Sequence, residues 1–389
     1  MKKIAIIGFG ASSIISLYNL LKQAKSSEFS IDVFAKDDSC GYAYETNNCN
    51  HLLNVRAINI SGVLDDDYDF LNYLKSNNYN FGEQDFVERR IFKEYLKDLR
   101  LRSFDIASYK NISLSLFYRN IEEISYQDNK FFIGDIKQGY DFVFLCISAK
   151  FRDNNFFNID ISKYILKPQI HIKGAGLTAF DAIISLQDLN YAGTIFLHSR
   201  SKRIPQPHNA RISNSLNPII SISDAQLPLS KLFKKFVSGC RNSDNWQERF
   251  DSIRPITNDI WNQFTLEKKK RFMRHLFRIY NIHRHRSPLS VYNKIVNVLQ
   301  NNRVVITNEI IKDHDFIDCT GFDFNYKDQL IDRLIANNIV KKNDLEMGVD
   351  SSKENFFIIG ALNSGTLLET TAINEIKCQV RYFLKKLFS

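Results

Sequence analysis

The chain has 389 residues and carries 52 Lys plus Arg against 43 Asp plus Glu, which gives a formal net charge of +9 at pH 7. This length predicts two or three domains. A composition that is 44% hydrophobic and 24% charged excludes a disordered, collagen-like or coiled-coil chain. The basic excess leaves a nucleic acid or a membrane surface open as a partner until the charge is located along the chain.

The cysteines and the N-terminus indicate a cytoplasmic protein. Six cysteines lie far apart without a C-x-x-C pair, which argues against a zinc ribbon or a disulfide framework and suits a reducing compartment. Lys2 and Lys3 precede an apolar run as in a signal peptide, but glycines interrupt the run and no small-residue cleavage site follows. No window approaches the roughly 18 apolar residues of a membrane span. We therefore expect a soluble, cytoplasmic protein without membrane contact.

The first 35 or so residues predict a strand, a glycine turn, a helix and a second strand. The turn reads Gly8-x-Gly10-x-x-Ser13. The first glycine permits a tight turn, and the second lets a pyrophosphate approach the backbone at the helix N-terminus. This context favours a dinucleotide site that includes Ser12, against a glycine turn without ligand. The acid that usually ends the second strand and holds the adenosine ribose is absent, because Ala35 stands there.

The same pattern returns after two predicted helices and a group of short strands. Its turn holds Gly174, Gly176, Thr178 and Ala179, and its second strand runs into a basic segment without a carboxylate. The polar and basic residues of that segment are Ser199, Arg200, Lys202 and Arg203. Basic side chains at this position would meet a ribose 2′-phosphate, so the motif predicts NADPH rather than NADH. A solvated surface turn is the alternative.

Two dinucleotide folds in one chain are typical of a flavin that accepts hydride from a nicotinamide. The polar segment around Asn54 is then a candidate for wrapping around the flavin ring, with a surface loop as the alternative. Near the C-terminus a strand, loop and helix could present backbone N–H groups to the flavin, and an ordinary glycine turn is the alternative. The residues of this second segment are Gly360, Ser364, Gly365, Glu369 and Thr370.

The sequence from His283 to Arg286 is the densest polar cluster in the chain. It indicates a cationic wall for an anionic substrate or for the nicotinamide pyrophosphate, with His283, His285 and Arg286 as candidate catalytic residues. A metal site is disfavoured because no Cys or carboxylate lies at ligand spacing. A solvated helix end is the open alternative.

The excess charge is confined to one stretch. Residues 231–290 contain 14 Lys plus Arg against 5 Asp plus Glu, a difference of +9, and the rest of the chain has 38 of each sign. This distribution indicates an anionic cofactor, then a small anionic substrate, then an acidic carrier protein. Nucleic acid ranks last, because the excess is not spread as a diffuse coat over the chain. The many aromatic residues also lie at apolar periodic positions typical of a core.

The sequence resembles the bacterial FAD/NAD(P)-binding (YdhS-like) family, which is related in layout to flavin-dependent N-hydroxylating monooxygenases. The motifs that carry the resemblance are GFGASS from Gly8, GYAYETNNCNHLLNVRAINISG from Gly41, FVERRIFKEYL from Phe86, KGAGLTAFD from Lys173, HSRSKRIPQPH from His198, WQERFDSIRPITNDIW from Trp246, RFMRHLFRIYNIHRHRSP from Arg271, DCTGFD from Asp318 and IIGALNSGTLLETTAINEIKCQ from Ile358. The resemblance implies FAD, an inserted nicotinamide domain and redox chemistry, and it adds Arg89 to the candidate FAD-binding residues.

These observations predict an α/β protein with two Rossmann-like dinucleotide-binding domains, the NAD(P)H domain inserted in the FAD domain. We expect the FAD domain to comprise residues 1–155 and 300–389, and the NADPH domain residues 156–299. The expected function is an FAD-dependent, NADPH-using oxidoreductase, a flavin monooxygenase that hydroxylates a small substrate. The alternatives are an oxygen-independent flavin reductase or dehydrogenase, and a non-catalytic nucleotide-sensing or partner-binding protein.

Overall fold

The computed structural model describes residues 1–209, 216–309, 315–325 and 327–389. The chain divides into two compact units. The first unit contains Met1–Thr46, Arg56–Ala149 and Phe324–Ser389, and the second contains Asn47–Val55 and Lys150–Asp323. The second unit is therefore an insertion within the sequence of the first.

The secondary structure of the described residues alternates strands and helices in both units. The strands are β1 (Lys2–Ile7), β2 (Phe29–Ala35), β3 (Ser113–Tyr118), β4 (Ile124–Gln127), β5 (Lys130–Ile133), β6 (Gly139–Tyr140), β7 (Phe142–Leu145), β8 (Gln169–Lys173), β9 (Thr194–His198), β10 (Val304–Thr307), β11 (Phe316–Asp318), β12 (Val340–Lys342), β13 (Val349–Ser351) and β14 (Phe356–Ile358). The α-helices are α1 (Ala11–Gln23), α2 (Asp69–Ser76), α3 (Arg89–Tyr109), α4 (Leu177–Asp188), α5 (Leu229–Arg241), α6 (Trp246–Asp251), α7 (Thr257–Asn262), α8 (Leu266–His275), α9 (Phe277–Arg284), α10 (Leu289–Gln300), α11 (Gln329–Ala336) and α12 (Ile373–Phe388).

The first unit is built on a parallel sheet with strand order β14-β7-β1-β2-β3. Strands β1 and β2 are buried along most of their length, as expected of parallel strands covered on both faces. Helix α1 packs against α3 and α12. A three-stranded antiparallel meander of β4, β5 and β6 and a hairpin of β12 and β13 complete the unit.

The second unit repeats the order of the first sheet in shorter form. Its strands follow the order β10-β9-β8-β11, and all pairs are parallel. Burial alternates along β8 and β9, so one face of the sheet forms the core with α4 and α10, while the other face is partly exposed. The core residues on α4 include Phe180, Ile183 and Ile184.

The two sheets confirm the predicted α/β class with two Rossmann-like units. The expected domain boundaries differ from the compact units, which meet at 149/150 and 323/324 instead of 155/156 and 299/300. The second boundary moves because β10 pairs with β9 and β11 pairs with β8, which places both strands in the second sheet. Among the described residues, no helix is long and apolar enough to cross a membrane.

Candidate functional site

The first glycines of the two motifs have the same backbone conformation. Gly8 and Gly174 both have φ of +98°, in the left-handed region that favours glycine. A Cβ atom would lie 2.9 Å from the Cys146 carbonyl oxygen in the first turn and 2.7 Å from the Cys319 carbonyl oxygen in the second. The fold itself therefore requires glycine at both positions.

The second glycines are not required by the protein's own packing. Gly10 has φ of −75° and Gly176 has φ of −87°, values that any residue adopts. A Cβ on Gly10 would lie no closer than 3.7 Å to Cys40, and one on Gly176 would have no neighbour within 4 Å. The open space at these two positions is what a pyrophosphate needs for close approach to the backbone, so both turns fit a dinucleotide.

The helices that follow the turns are suited to bind phosphate. Neither α1 nor α4 has a side chain that caps its N-terminus, and neither has an acidic residue in its first turn. In α1 the Ala11 N–H donates to the Cys40 carbonyl oxygen at 3.0 Å. The positive end of each helix dipole is therefore not neutralised by a carboxylate of its own first turn. Thr178 and Ala179 lie in the first turn of α4.

The C-terminal segment reaches the first turn of α1. Gly360 follows β14 with φ of +97°, and a Cβ there would lie 2.8 Å from the Ser12 hydroxyl oxygen. The structure thus brings Ser12 and Gly360 together. Gly365 also has a positive φ, of +91°, and a Cβ there would clash with the Asn343 side chain.

Gln379 on α12 organises this segment and was missed by the sequence analysis. Its side-chain oxygen accepts from the Gly360 N–H at 2.9 Å, and its side-chain nitrogen donates to the Thr370 carbonyl oxygen at 3.0 Å. The hydroxyls of Ser364 and Thr370 lie 3.0 Å apart, and Glu369 is buried beside them in the chain. The available signal was a glutamine on the apolar face of an amphipathic helix.

The end of β2 has no acid, and the two carboxylates that follow it both contact protein groups. Ala35 is fully buried. Asp37 accepts the Ser39 N–H at 3.0 Å, and Asp38 accepts from the Tyr118 hydroxyl at 3.0 Å and pairs with Arg100. The hydrogen bond from Arg100 lowers the pKa of Asp38. Both carboxylates are engaged by protein groups.

Two further candidates of the FAD set lie in different parts of the fold. Arg89 is the first residue of α3 in the first unit. Asn54 belongs to the segment 47–55 of the second unit, where its carbonyl oxygen accepts from His208 Nε2 at 2.9 Å. In the same segment His51 is buried, with its Nε2 2.9 Å from the Ser185 hydroxyl of α4. The structure therefore groups Asn54 with the second unit and not with the first.

The basic segment after β9 adjoins the second glycine turn. The Gly174 N–H donates to the His198 carbonyl oxygen at 3.0 Å, just as the Gly8 N–H donates to the Phe34 carbonyl oxygen at 2.8 Å in the first unit. The Ser199 N–H bonds to the Thr307 carbonyl oxygen at 2.8 Å. The exposed cations that follow are Arg200, Lys202 and Arg203. Residues after the second strand of a Rossmann unit meet the ribose, so these cations stay candidates for binding a 2′-phosphate.

The His283–Arg286 cluster differs from the expected cationic wall. Arg286 is 3% exposed, pairs with Asp251, donates to the His283 carbonyl oxygen at 3.2 Å and lies over the Trp246 ring at 5.8 Å. Burial lowers the pKa of Arg286. His283 Nδ1 donates a hydrogen bond to the Ile279 carbonyl oxygen at 2.7 Å, and both His283 and His285 are partly exposed. The expectation that Arg286 presents its charge to a ligand is wrong, because its guanidinium is held inside the helical region.

Comparison with known proteins agrees with this geometry. Residues 5–149 match a protein family described as FAD-NAD(P)-binding. No curated protein sequence matches the chain significantly. Among solved structures, the ornithine hydroxylase PvdA from Pseudomonas aeruginosa is similar over 100% of this chain and 98% of its own, with a TM-score of 0.61 and 14% identity.

Two other solved structures extend the comparison. The cadaverine monooxygenase DfoA from Erwinia amylovora, bound to FAD, matches over 99% of this chain and 94% of its own, with a TM-score of 0.56 and 11% identity. The bacillithiol disulfide reductase Bdr from Staphylococcus aureus matches over 100% and 99%, with a TM-score of 0.54 and 10% identity. At these identities the likeness establishes the fold.

The two parallel sheets and the two glycine turns define a protein with two Rossmann-like dinucleotide-binding units. The match of residues 5–149 to an FAD-NAD(P)-binding family supports FAD and a nicotinamide dinucleotide as the cofactors. Which side chains hold each cofactor remains a prediction.

Proposed function

We propose that the chain is an NADPH-using flavin monooxygenase that hydroxylates a small substrate. The observation that carries the proposal is the pair of matched glycine turns, each with a first glycine required by the fold and a second glycine that leaves space at a helix N-terminus. Two such turns fit two dinucleotides. FAD is assigned to the first unit, which contains the family match, and NADPH to the second.

The chain's own residues bind and orient the cofactors. The N-terminus of α1 holds the FAD pyrophosphate, and the loop after Gly360, braced by Gln379, lies beside it. The N-terminus of α4 holds the NADPH pyrophosphate, and the cations from Arg200 to Arg203 bind the 2′-phosphate. Held by these residues, FAD would supply the redox chemistry between NADPH and oxygen, so few acid–base groups would be required of the protein.

The proposed substrate class comes from the solved structures that share this fold. PvdA hydroxylates ornithine and DfoA is a cadaverine monooxygenase, so small aliphatic amines are the first substrates to test. His283 and His285, which are partly exposed, remain candidate proton donors. A substrate presented by an acidic carrier protein would also fit the excess of basic residues in 231–290.

An oxygen-independent flavin reductase is the second candidate. The fold likeness to the bacillithiol disulfide reductase Bdr favours it. In this case the reduced enzyme passes its electrons to a disulfide or another acceptor and reacts slowly with oxygen.

The test uses the full chain loaded with FAD. NADPH oxidation, oxygen uptake, hydrogen peroxide and hydroxylated product are measured together with ornithine, lysine, cadaverine and putrescine. A monooxygenase consumes one oxygen per NADPH and forms product with at least one amine, while the Gly176→Ala variant, which retains FAD, loses NADPH-dependent turnover. Rapid NADPH-driven reduction of a disulfide, with slow reoxidation in air and no hydroxylated amine, would replace the proposal with the reductase.

A further inference from the structure

Helices α8 and α9 present a row of basic side chains to solvent. Lys270, Arg271, Arg274 and Arg278 are all exposed, and their spacing of three and four residues places them on one face. Only Leu276 separates the two helices, and its φ of −112° and ψ of −27° keep the chain in helical conformation. The row, which we call the basic row, is about 12 Å long from first to last Cα atom.

The opposite face of α8 is held by the protein. Phe272 packs against Trp261 with ring centres 5.7 Å apart and against Tyr280 at 5.9 Å. Lys268 on this side donates to two backbone carbonyl oxygens, and Lys269 lies over the Trp261 ring at 5.1 Å. The helix is therefore fixed in orientation, and the basic row faces outward because of that packing.

No carboxylate of the described residues forms an ion pair with the basic row. The ion pairs described in this region join Lys235 to Asp224 and Arg286 to Asp251. Glu267 lies three and four residues before Lys270 and Arg271 but is also exposed and unpaired. The titratable neighbour on the same face is His275, which is exposed and adds further positive charge when protonated. Like charges at these spacings repel one another along a helix, and among the described residues no ion pair offsets that repulsion.

The chemistry of the row favours a protein partner over the other polyanions. A membrane-bound amphipathic helix inserts a continuous apolar face. Here Phe272 of α8 is engaged by the Trp261 and Tyr280 rings, and Leu266, at the start of α8, is the exposed large apolar side chain of the two helices. Single-stranded nucleic acid needs exposed aromatic rings for stacking, and the row has none. Three guanidinium groups suit bidentate pairing with carboxylates.

We propose that the basic row of α8 and α9 is the docking surface for a partner protein that presents an acidic helix. Carboxylates at positions i, i+4 and i+8 of that helix would meet Lys270, Arg274 and Arg278 along the same length of about 12 Å. Arg271 lies beside the line and pairs with the next carboxylate. The inference is independent of the reaction that the flavin site performs, because it uses only the exposed charge of the second unit.

The test measures binding of a fluorescein-labelled helical peptide with Glu at i, i+4 and i+8 to the FAD-loaded full chain. The variant K270E/R271E/R274E/R278E should lower the affinity by at least about tenfold and should bind a matching Lys peptide instead. The control variant K22E/K25E/K385E/K386E makes the same change in net charge at exposed positions of the first unit and should stay within about twofold of the wild type.

Three other measurements complete the experiment. An NADPH titration should give the same affinity for the basic-row variant as for the wild type, which also shows that the variant is folded. Equal loss of peptide binding in both variants would overturn the proposal, since it would reflect net charge alone. Tighter binding of double-stranded DNA or of phosphatidylserine vesicles through the basic row, or a loss of NADPH affinity in its variant, would also overturn it.

Discussion

At the scale of single residues, glycine stands at the two positions of the first turn for different physical reasons. Gly8 is required by its positive φ and by the nearby Cys146 carbonyl oxygen, whereas Gly10 has an ordinary φ and space for a Cβ atom. A methyl group at Gly10 would therefore be accepted by the empty protein and would obstruct a pyrophosphate. Gly8 therefore serves the fold, and Gly10, two residues later, is the position that serves binding of the pyrophosphate.

We expect Gly10→Ala to lower the free energy of unfolding of the FAD-free protein by no more than about 1 kcal/mol, the usual difference at a helix N-cap. FAD affinity should fall at least about tenfold because the new Cβ occupies the approach of the pyrophosphate. Urea unfolding without FAD and an FAD titration measure the two effects.

Gly8→Ala is the matched comparison and should lower the free energy of unfolding by about 3 kcal/mol or more. If Gly10→Ala instead destabilised the FAD-free protein as much as Gly8→Ala and left FAD affinity unchanged, Gly10 would be a packing residue and not part of a cofactor site.

Ser13 offers a second test at this scale. Its side chain is fully buried, and its hydroxyl oxygen has no hydrogen-bond partner. Ser13→Ala should raise the free energy of unfolding by about 1 kcal/mol, because it removes an unsatisfied polar group from the core. Chemical denaturation of the FAD-free protein gives the value.

Ser103 is the control for Ser13, since it is equally buried but donates to the Leu99 carbonyl oxygen at 2.8 Å. Ser103→Ala should lower the free energy of unfolding by about 1 kcal/mol. Changes of the same sign in both variants would mean that the Ser13 hydroxyl is satisfied in solution.

At the scale of elements, the sequence predicts what depends on local pattern. The strand, turn and helix around each glycine motif follow from β-branched runs, left-handed glycines and amphipathic spacing, and the structure has them at β1 to α1 and β8 to α4. The hairpin of β12 and β13 was missed because each strand has three residues and too little periodicity to detect. The bridging contacts of Gln379 were missed because they join residues that are distant in sequence.

The basic segment that follows β9 is predicted to select NADPH over NADH. Replacing Arg200, Lys202 and Arg203 by Ser should raise the KM for NADPH by about tenfold or more and leave the KM for NADH within about twofold, because only the 2′-phosphate is lost as a contact. Steady-state kinetics with both nucleotides measure the effect. A parallel rise for NADPH and NADH would show that the cations are a solvated surface turn.

At the scale of the whole molecule, the sequence predicts that the second unit is inserted in the first, but it does not predict the C-terminal boundary of the insertion. Strands β10 and β11 were expected in the FAD domain, but they pair with β9 and β8 of the second sheet, and such non-local pairing is not visible in local sequence. The excess positive charge lies in residues 231–290, and the structure divides these cations into buried and exposed ones. Arg286 is enclosed with Asp251, and the basic row is exposed. Burial of this kind depends on packing between helices and has no signature in composition.

The cysteines give a prediction for the intact fold. Burial raises the pKa of the Cys146 thiol to about 12 and that of the Cys40 thiol to about 11, and Cys240 and Cys319 are raised in the same direction. A raised pKa keeps the thiol protonated and unreactive at neutral pH. Iodoacetamide near pH 8 should therefore modify Cys49 and Cys378, which are exposed, and leave the other four intact by mass spectrometry.

Denatured protein is the control for this labelling, because it should react at all six cysteines. Modification of Cys146 or Cys319 in the native protein at the rate of Cys49 would contradict the packing at the ends of β7 and β11, against which the two first glycines are placed.

The central claim is that the chain binds FAD in one unit and accepts hydride from NADPH bound in the other. The most direct measurement is the visible spectrum of the full chain after incubation with FAD and gel filtration, followed by NADPH under anaerobic conditions. The flavin absorbance should remain with the protein through filtration and should then be lost on addition of NADPH. A protein that is colourless after filtration, or whose bound flavin is not reduced by NADPH, would contradict the account.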